Sequence, residues 1–313
     1  MKKIILGTRG SALARAQTTL VREILLAAYP GLCVEEKIIA TTVDSDLTIA
    51  INQSGVGGVG VFTRQLEEAL LAREIDVAVH SLKDLPIQMP PGLELAAILP
   101  RATTSDLLIS LEENGLDGLS SGALIGTSAP RRVELLRKRR SDLKFTALRG
   151  NVPTRLRKLA MNQQEHPLDA IVLARAGLER LGYDLKMEHN SGVLIVDGTK
   201  LYAHEMSWML PAPGQGAIAV EVCSEKKASV FWNALHDEKT ARCVQAERLL
   251  LHYLGGGCHM ALGALATIDD ASQKLHLRGV YVDGSLREGE AMGSTPEEAA
   301  LLVATQLGRK ITK

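Results

Sequence analysis

The stretch Ile75-Asp76-Val77-Ala78-Val79-His80-Ser81-Leu82-Lys83-Asp84-Leu85-Pro86 constrains this chain more than any other. Ile75 to Val79 is short, mostly apolar and rich in β-branched residues, which suits a strand buried on both faces of a parallel sheet. The run breaks into His80, Ser81, Lys83 and Asp84 before Pro86 ends any regular element. Ligands of open α/β sheets bind at the carboxyl ends of strands, so this polar cluster falls where a site is expected. Lys83 can hold an anion while Asp84 keeps its negative charge for chemistry. A strand exit with two solvated charges is the simpler account of the same pair.

With 313 residues the chain is long for one core, and two or three domains are expected. Lys plus Arg and Asp plus Glu both number 36, so the whole molecule has no electrostatic bias toward a partner. Met1-Lys2-Lys3 precedes an apolar run too short for a signal peptide, and no window reaches the apolar length of a membrane span. Cys33, Cys223, Cys243 and Cys258 show neither C-x-x-C nor His-paired spacing, which argues against disulfides and against a metal site. These features predict a cytoplasmic protein.

Lys3 to Leu6 reads as a first strand, followed by the turn Gly7-Thr8-Arg9-Gly10-Ser11 and a helix to about Ala28 with Ser11 as N-cap. Such a start can bind anions through helix N-terminal amides, although a simple capped helix is common. Cys33 to Thr41 alternates enough for a second strand. The loop after it runs to Gly60 and contains Gly55-Val56-Gly57-Gly58-Val59-Gly60 without a phosphate-loop lysine, which predicts mobility and not a nucleotide site. Phe62 to Arg73 has helical apolar spacing, with Phe62 at the loop–helix joint. A strand is expected at Leu93 to Ile98.

From Arg131 to Lys158 there are eleven Lys or Arg against only Glu134 and Asp142, a local field aimed at an anion. Leu124 to Ser128 reads as a strand ending in hydroxyls, with Arg131 and Arg132 in the first turn of the next helix. Phe145 to Leu148 delivers Arg149, and Arg155 falls in the first turn of another helix. Cations at a helix N-terminus are mildly disfavoured by the dipole, so their placement suggests a bound anion. Arg137 to Arg140 read as a solvated helix end. Nucleic acid is the rival ligand, weakened by an aromatic content of 3% that leaves little for base stacking. Paired guanidinium groups suit small carboxylates or phosphates better.

Asp169 to Ala174 predicts a further buried strand, with a helix to Leu181. Tyr183 to Lys200 reads as irregular, and a strand is expected at Ala217 to Val222. From about Ser224 the pattern becomes α+β: helices at Lys226 to Leu235 and Thr240 to Leu254, strands at Leu262 to Ile268 and Lys274 to Val282, and a helix from Pro296. Gly255-Gly256-Gly257 can carry Cys258 on an exposed loop, where the thiol could be a nucleophile, an attachment point or an incidental small residue.

Six segments in order resemble the hydroxymethylbilane synthase (porphobilinogen deaminase) family across nearly the whole chain. They are Thr8-Arg9-Gly10-Ser11, Val79 to Pro86, Gly126-Thr127-Ser128-Ala129-Pro130-Arg131-Arg132, Leu148-Arg149-Gly150-Asn151-Val152-Pro153-Thr154-Arg155, Pro213-Gly214-Gln215-Gly216 and Gly255-Gly256-Gly257-Cys258. The resemblance implies an α/β fold of two periplasmic-binding-protein-like α/β domains plus a smaller C-terminal α+β domain. The first would be residues 1–100 completed by 204–219, the second 101–203, and the third, carrying the cofactor cysteine, 220–313.

It also implies a transferase that joins four porphobilinogen molecules into a linear tetrapyrrole with loss of ammonia, on a dipyrromethane cofactor held by a thioether to Cys258. Each porphobilinogen carries an acetate and a propionate, so the arginines gain a polyanionic partner. By this match Asp84 is catalytic, stabilising the pyrrole cation and passing a proton to the leaving amine. Lys83, Ser81, Thr127, Ser128, Arg131, Arg132 and Arg155 would hold the cofactor. Arg9, Ser11, Arg149, Arg180 and Phe62 would meet substrate, with Arg175 competing for the place of Arg180. A monomer without nucleic-acid or membrane partners is expected. Gly55 and Val59 stand where the family has lysines, and Val43 where its loop opens with glycine, which bears on substrate capture and loop closure. A non-catalytic binder of small anions with the same fold is the alternative, and it would not need Cys258.

Overall fold

The computed structural model describes residues 3–40, 63–161, 167–256 and 260–308. Among these residues the chain forms three sheets. The first has strand order β2-β1-β3-β11-β4, built from β1 (Lys3–Arg9), β2 (Cys33–Ile39), β3 (Val77–Ser81), β4 (Leu93–Ile98) and β11 (Ile218–Cys223). β1 runs parallel to β2 and β3, whereas β11 inserts antiparallel between β3 and β4. Every residue of β11 is buried, and Val77 to His80 are too, as expected of central strands covered on both faces. Helix α1 (Ala12–Ala28) packs Val21 and Leu25 onto this sheet, and the Ser11 hydroxyl caps it by accepting from the Ala14 N–H.

The second sheet has order β7-β6-β8-β5-β10-β9, from β5 (Asp106–Ser110), β6 (Leu124–Gly126), β7 (Lys144–Thr146), β8 (Ala170–Ala174), β9 (Ser191–Val196) and β10 (Thr199–Glu205). β5 is antiparallel to β8, with Asp106 opposite Ala174. The first residue of β5 therefore lies at the carboxyl end of its neighbour, the end where ligands bind. Helices Pro130–Arg139 and Val152–Ala160 follow β6 and β7, and Arg175–Arg180 follows β8. The small third sheet, β12 (Ala261–Ile268), β13 (Leu275–Asp283) and β14 (Ser285–Gly293), is an antiparallel meander. Helices Glu238–Tyr253 and Pro296–Gln306 pack against it through Leu250, Val303 and Ala304. Two α/β units and a smaller α+β unit thus make up the fold.

Three expectations are corrected. Tyr183 to Lys200 is not irregular throughout: β9 and β10 form a hairpin there, with Asp197 and Gly198 both at positive φ (48° and 82°), as a tight primed turn requires. The expected helix at Lys226 to Leu235 is two 3₁₀ turns, Ser224–Lys226 and Val230–Ala234, and Trp232 and Leu235 pack in the core of the first sheet. His204 pairs with Leu108 of the second sheet, so the segment that rejoins the first sheet is β11 and not residues 204–219 as a whole. The glycine-rich loop, with Val43, Gly55, Val59 and Phe62, lies outside the described residues, as does Cys258.

Candidate functional site

The Lys83–Asp84 pair sits at the carboxyl end of β3. His80 and Ser81 still belong to the ladder, opposite Ala219 and Ile218, and Leu82–Asp84 forms a single 3₁₀ turn. Asp84 is exposed, Lys83 half-buried and Leu82 fully buried. His80, beneath them, is buried with Nε2 2.9 Å from Glu221 Oε2. The Ser81 hydroxyl is joined to the Gln17 amide at 2.9–3.2 Å.

The PGQG segment crosses the same strand end. Gly214 and Gly216 both take positive φ (75° and 86°), and a Cβ on Gly216 would lie 2.7 Å from the Ala102 carbonyl oxygen, so only glycine fits. This crossing aims Gln215 between the two sheets. Its Nε2 donates to Thr104 O at 2.7 Å and to Asp106 Oδ1 at 2.9 Å, and its Oε1 faces Lys83 Nζ at 3.4 Å.

Asp106 explains the arginines at the next helix N-terminus. Arg131 and Arg132 are buried and each donates to one Asp106 oxygen, at 2.6 and 2.7 Å. Their second η nitrogens reach Leu210 O and Val172 O. The anion that these two arginines required is supplied by the protein itself, a residue the sequence reading did not single out. Burial works against the Asp106 carboxylate, but Arg131 and then Arg132 outweigh it and hold its pKa far below the usual range. Arg132 Nε remains buried without a hydrogen-bond partner.

Other cations are less committed. Lys83 has its pKa pushed down by burial, with Asp84 opposing and Arg132 adding to the fall. Arg155 donates Nε to Gly150 O at 2.7 Å and, among the described residues, forms no ion pair. Burial pushes its pKa down too, Arg132 adds to this and Asp84 opposes. Lys83, Arg132, Arg155 and Asp84 therefore share one field, although they come from two different sheets. Arg180 donates to Gly216 O at 2.6 Å, whereas Arg175 is held by both Glu179 and Glu205 at 2.7 and 2.8 Å. Arg175 is thus engaged by two carboxylates, whereas Arg180 bonds to a main-chain carbonyl. Arg149 is exposed beyond β7, and Arg9 is half-buried at the end of β1.

The hydroxyls have local duties: Thr127 Oγ1 accepts from Ala129 N at 3.3 Å and Ser128 Oγ donates to Leu148 O at 3.1 Å. Arg137 pairs with Glu134 and Arg140 with Asp142, so half of that basic run is paired with acids, while Arg139 lies over the Trp208 ring. The arrangement offers one exposed carboxylate beside several cations with unspent donors, which suits chemistry on a ligand carrying several carboxylates.

Comparison with known proteins identifies the family. A family model described as porphobilinogen deaminase, dipyromethane cofactor binding domain, matches residues 4–230, and one for the porphobilinogen deaminase C-terminal domain matches residues 241–313. Proteins named porphobilinogen deaminase from Syntrophomonas wolfei, Rubrobacter xylanophilus and Bacillus cereus are 41%, 43% and 39% identical. They cover 96%, 97% and 98% of this chain and 92%, 93% and 94% of their own. Among solved structures, the methionine binding protein MetQ overlaps 76% of this chain and 92% of its own, at 13% identity and a TM-score of 0.42. Full-length matches at this identity, together with a family model spanning both sheets of the site, place the chain in the porphobilinogen deaminase family.

Proposed function

We infer that this transferase is a hydroxymethylbilane synthase, extending a covalent dipyrromethane with four porphobilinogen units and releasing one ammonia per unit. The observation that carries the reading is Asp84, an exposed carboxylate in the same field as Lys83, Arg132 and Arg155. The residues present fit the cofactor: Arg132 Nε is a buried donor without a partner, and Arg155 has no counter-ion among the described residues. Lys83, Arg132 and Arg155 would hold its carboxylates, with Ser81, Thr127, Ser128 and Arg131 shaping the same wall. When bound, the dipyrromethane supplies a pyrrole whose free α-carbon is the growing end.

The protein's own groups do the rest. Arg9, Ser11, Arg149 and Arg180 orient the acetate and propionate of incoming porphobilinogen. Asp84 holds a proton at the departing amine nitrogen while the carbon–nitrogen bond breaks, and its charge then faces the cation left on the ring. Cys258 provides the thioether. The reading extends to a cytoplasmic monomer that does not bind nucleic acid, the last supported by internal pairing within the basic segment: Arg131 and Arg132 with Asp106, Arg137 with Glu134, Arg140 with Asp142. No helix among the described residues is long and apolar enough to cross a membrane.

Intact mass and ammonia release test this together. The purified protein should weigh two pyrrole units more than its chain, all on Cys258, and should release ammonia from porphobilinogen. Cys258→Ser should lack both the added mass and the activity. An unmodified, active wild type would overturn the cofactor assignment, and a modified protein that binds porphobilinogen without turnover would return the chain to a binder of small anions.

A further inference from the structure

Helix Glu238–Tyr253 directs two neighbouring charges out of its own domain. Glu247 is buried and accepts from Arg101 at 2.6 and 2.9 Å and from the Gly214 and Ala266 N–H groups at 2.7 and 2.9 Å. It thereby fixes the PGQG crossing that brings Gln215 to Lys83. The next residue, Arg248, reaches the catalytic turn from the other side. Its guanidinium donates to main-chain carbonyls of one short segment: Pro86 O at 2.6 Å, Leu85 O at 3.2 Å, Ile87 O at 3.4 Å and Leu82 O at 3.5 Å. These oxygens bracket Lys83 and Asp84.

The turn is anchored at its start by Leu82, which is buried and donates its N–H to Ala217 O at 3.0 Å, but beyond Asp84 the main chain has few partners of its own. Its one internal backbone bond runs from Leu85 N to Leu82 O at 3.1 Å, and Pro86 has no N–H to give. Residues 85 to 92 form no regular element. Beside the turn lies a cavity of about 310 Å³, lined by Leu82, Ile87, Ile98, Val244 and Leu249 with Arg248 at its wall, so the segment has somewhere to go. Arg248 forms no ion pair among the described residues, and burial pushes its pKa down with no acid opposing. A partly desolvated guanidinium without a carboxylate is costly, and the converging carbonyls are its compensation.

We infer that Arg248 is a positioning residue for the reaction, holding the backbone on both sides of Asp84 so that the carboxylate meets the reacting amine in one geometry. This rests on the assignment of Asp84 as the catalytic carboxylate. It also means that helix Glu238–Tyr253 of the C-terminal unit is the element that sets the catalytic turn.

The test uses holoenzyme carrying Arg248→Met or Arg248→Lys. Displacements of about 1 Å in a catalytic group can cost up to ~100-fold in rate, so Arg248→Met should lose roughly 10- to 100-fold in kcat. KM should change by less than about 3-fold, because Arg9, Arg149 and Arg180, which orient the incoming substrate, lie outside the turn. Amide exchange at residues 82–85 should quicken while the α1 amides stay as they were. Arg248→Lys should recover part of both effects through the Pro86 carbonyl. In an Asp84→Ala background Arg248→Met should add almost nothing. Normal kcat in a folded Arg248→Met, or an undiminished loss in the Asp84→Ala background, overturns the inference. Should Arg248→Met fail to assemble, Arg248→Lys decides: intermediate kcat with quickened exchange at 82–85 upholds it, and wild-type values refute it. An inactive wild type would instead refute the functional reading itself.

Discussion

Asp106→Asn is the most demanding test of the arginine arrangement. The substitution keeps the shape of the side chain and removes its charge, leaving the buried guanidinium groups of Arg131 and Arg132 without the anion that both touch at 2.6–2.7 Å. Breaking a buried ion pair by removing one partner costs about 3–5 kcal/mol, because the charge left behind stays desolvated. With the two α/β units melting together as roughly 220 residues, each kcal/mol is worth about 2–4 °C, so the expected fall in Tm is roughly 6–20 °C. Thermal melts by circular dichroism and calorimetry at pH 7 measure it. Asp142→Asn is the control: its carboxylate lies as close to Arg140, at 2.7–2.8 Å, but in solvent, and its loss should barely move the Tm. The pH dependence has a definite sign. The pKa of Asp106 is lowered on folding, so its contribution is complete above the unfolded-state value of about 3.9 and is lost as pH falls through that value toward the folded one. The gap between wild type and Asp106→Asn should therefore be the same at pH 7 and pH 5 and narrow below about pH 4. A Tm drop under about 3 °C at pH 7 would show that Asp106 does not sustain the two arginines, and the account of the site would fail with it.

Two further outcomes are expected. Asp84→Ala should fold and retain affinity for porphobilinogen but lose turnover by orders of magnitude, since only the transition state needs its charge; near-normal ammonia release would remove it from the chemistry. Lys83, its pKa lowered first by burial, should react with an amine-directed acylating reagent at mildly alkaline pH ahead of the exposed lysines once made accessible in apo protein, and cofactor should protect it; equal labelling of all lysines, read by peptide mass, would refute this.

Much of the fold was legible because the buried strands declare themselves: Ile75 to Val79, Leu124 to Gly126 and Asp169 to Ala174 are apolar runs that stop at polar or glycine residues. The hairpins were less so. β9 and β14 are edge strands of mixed composition, SGVLIV and SLREGEAMG, with weak hydrophobic pattern. The signal that could have found both is the Asp-Gly pair at their turns, Asp197-Gly198 and Asp283-Gly284, which favours tight hairpins. The 3₁₀ turns around Trp232 were lost because tertiary burial, not periodicity, holds them. In the site, the Lys83–Asp84 turn and the arginines were readable as types and positions, but their pairing was not. Asp106 heads an apolar strand 25 residues before Arg131 in the chain, and only the antiparallel placement of β5 against β8 brings them together. A lone acid opening the apolar run Leu107 to Ile109 was the clue available. Glu247 and Arg248 left none, since adjacent opposite charges on a helix usually face solvent.

The chain passes between the two α/β units twice, at residues 99–105 and 206–217, and the two passages are stitched side by side. Leu99 N donates to Ile218 O, Ala102 N to Gly216 O, Arg101 Nε to Gln215 O and Gln215 Nε2 to Thr104 O. A single strand between two bodies behaves as a rope and permits twist in any sense. Two strands bonded laterally behave as a ribbon, stiff to twist and to shear and soft only to bending across its width. The two units are left with one soft coordinate, bending across the ribbon. Asp84 on one unit and Arg132 and Arg155 on the other are thus joined by a connection that resists twist and shear.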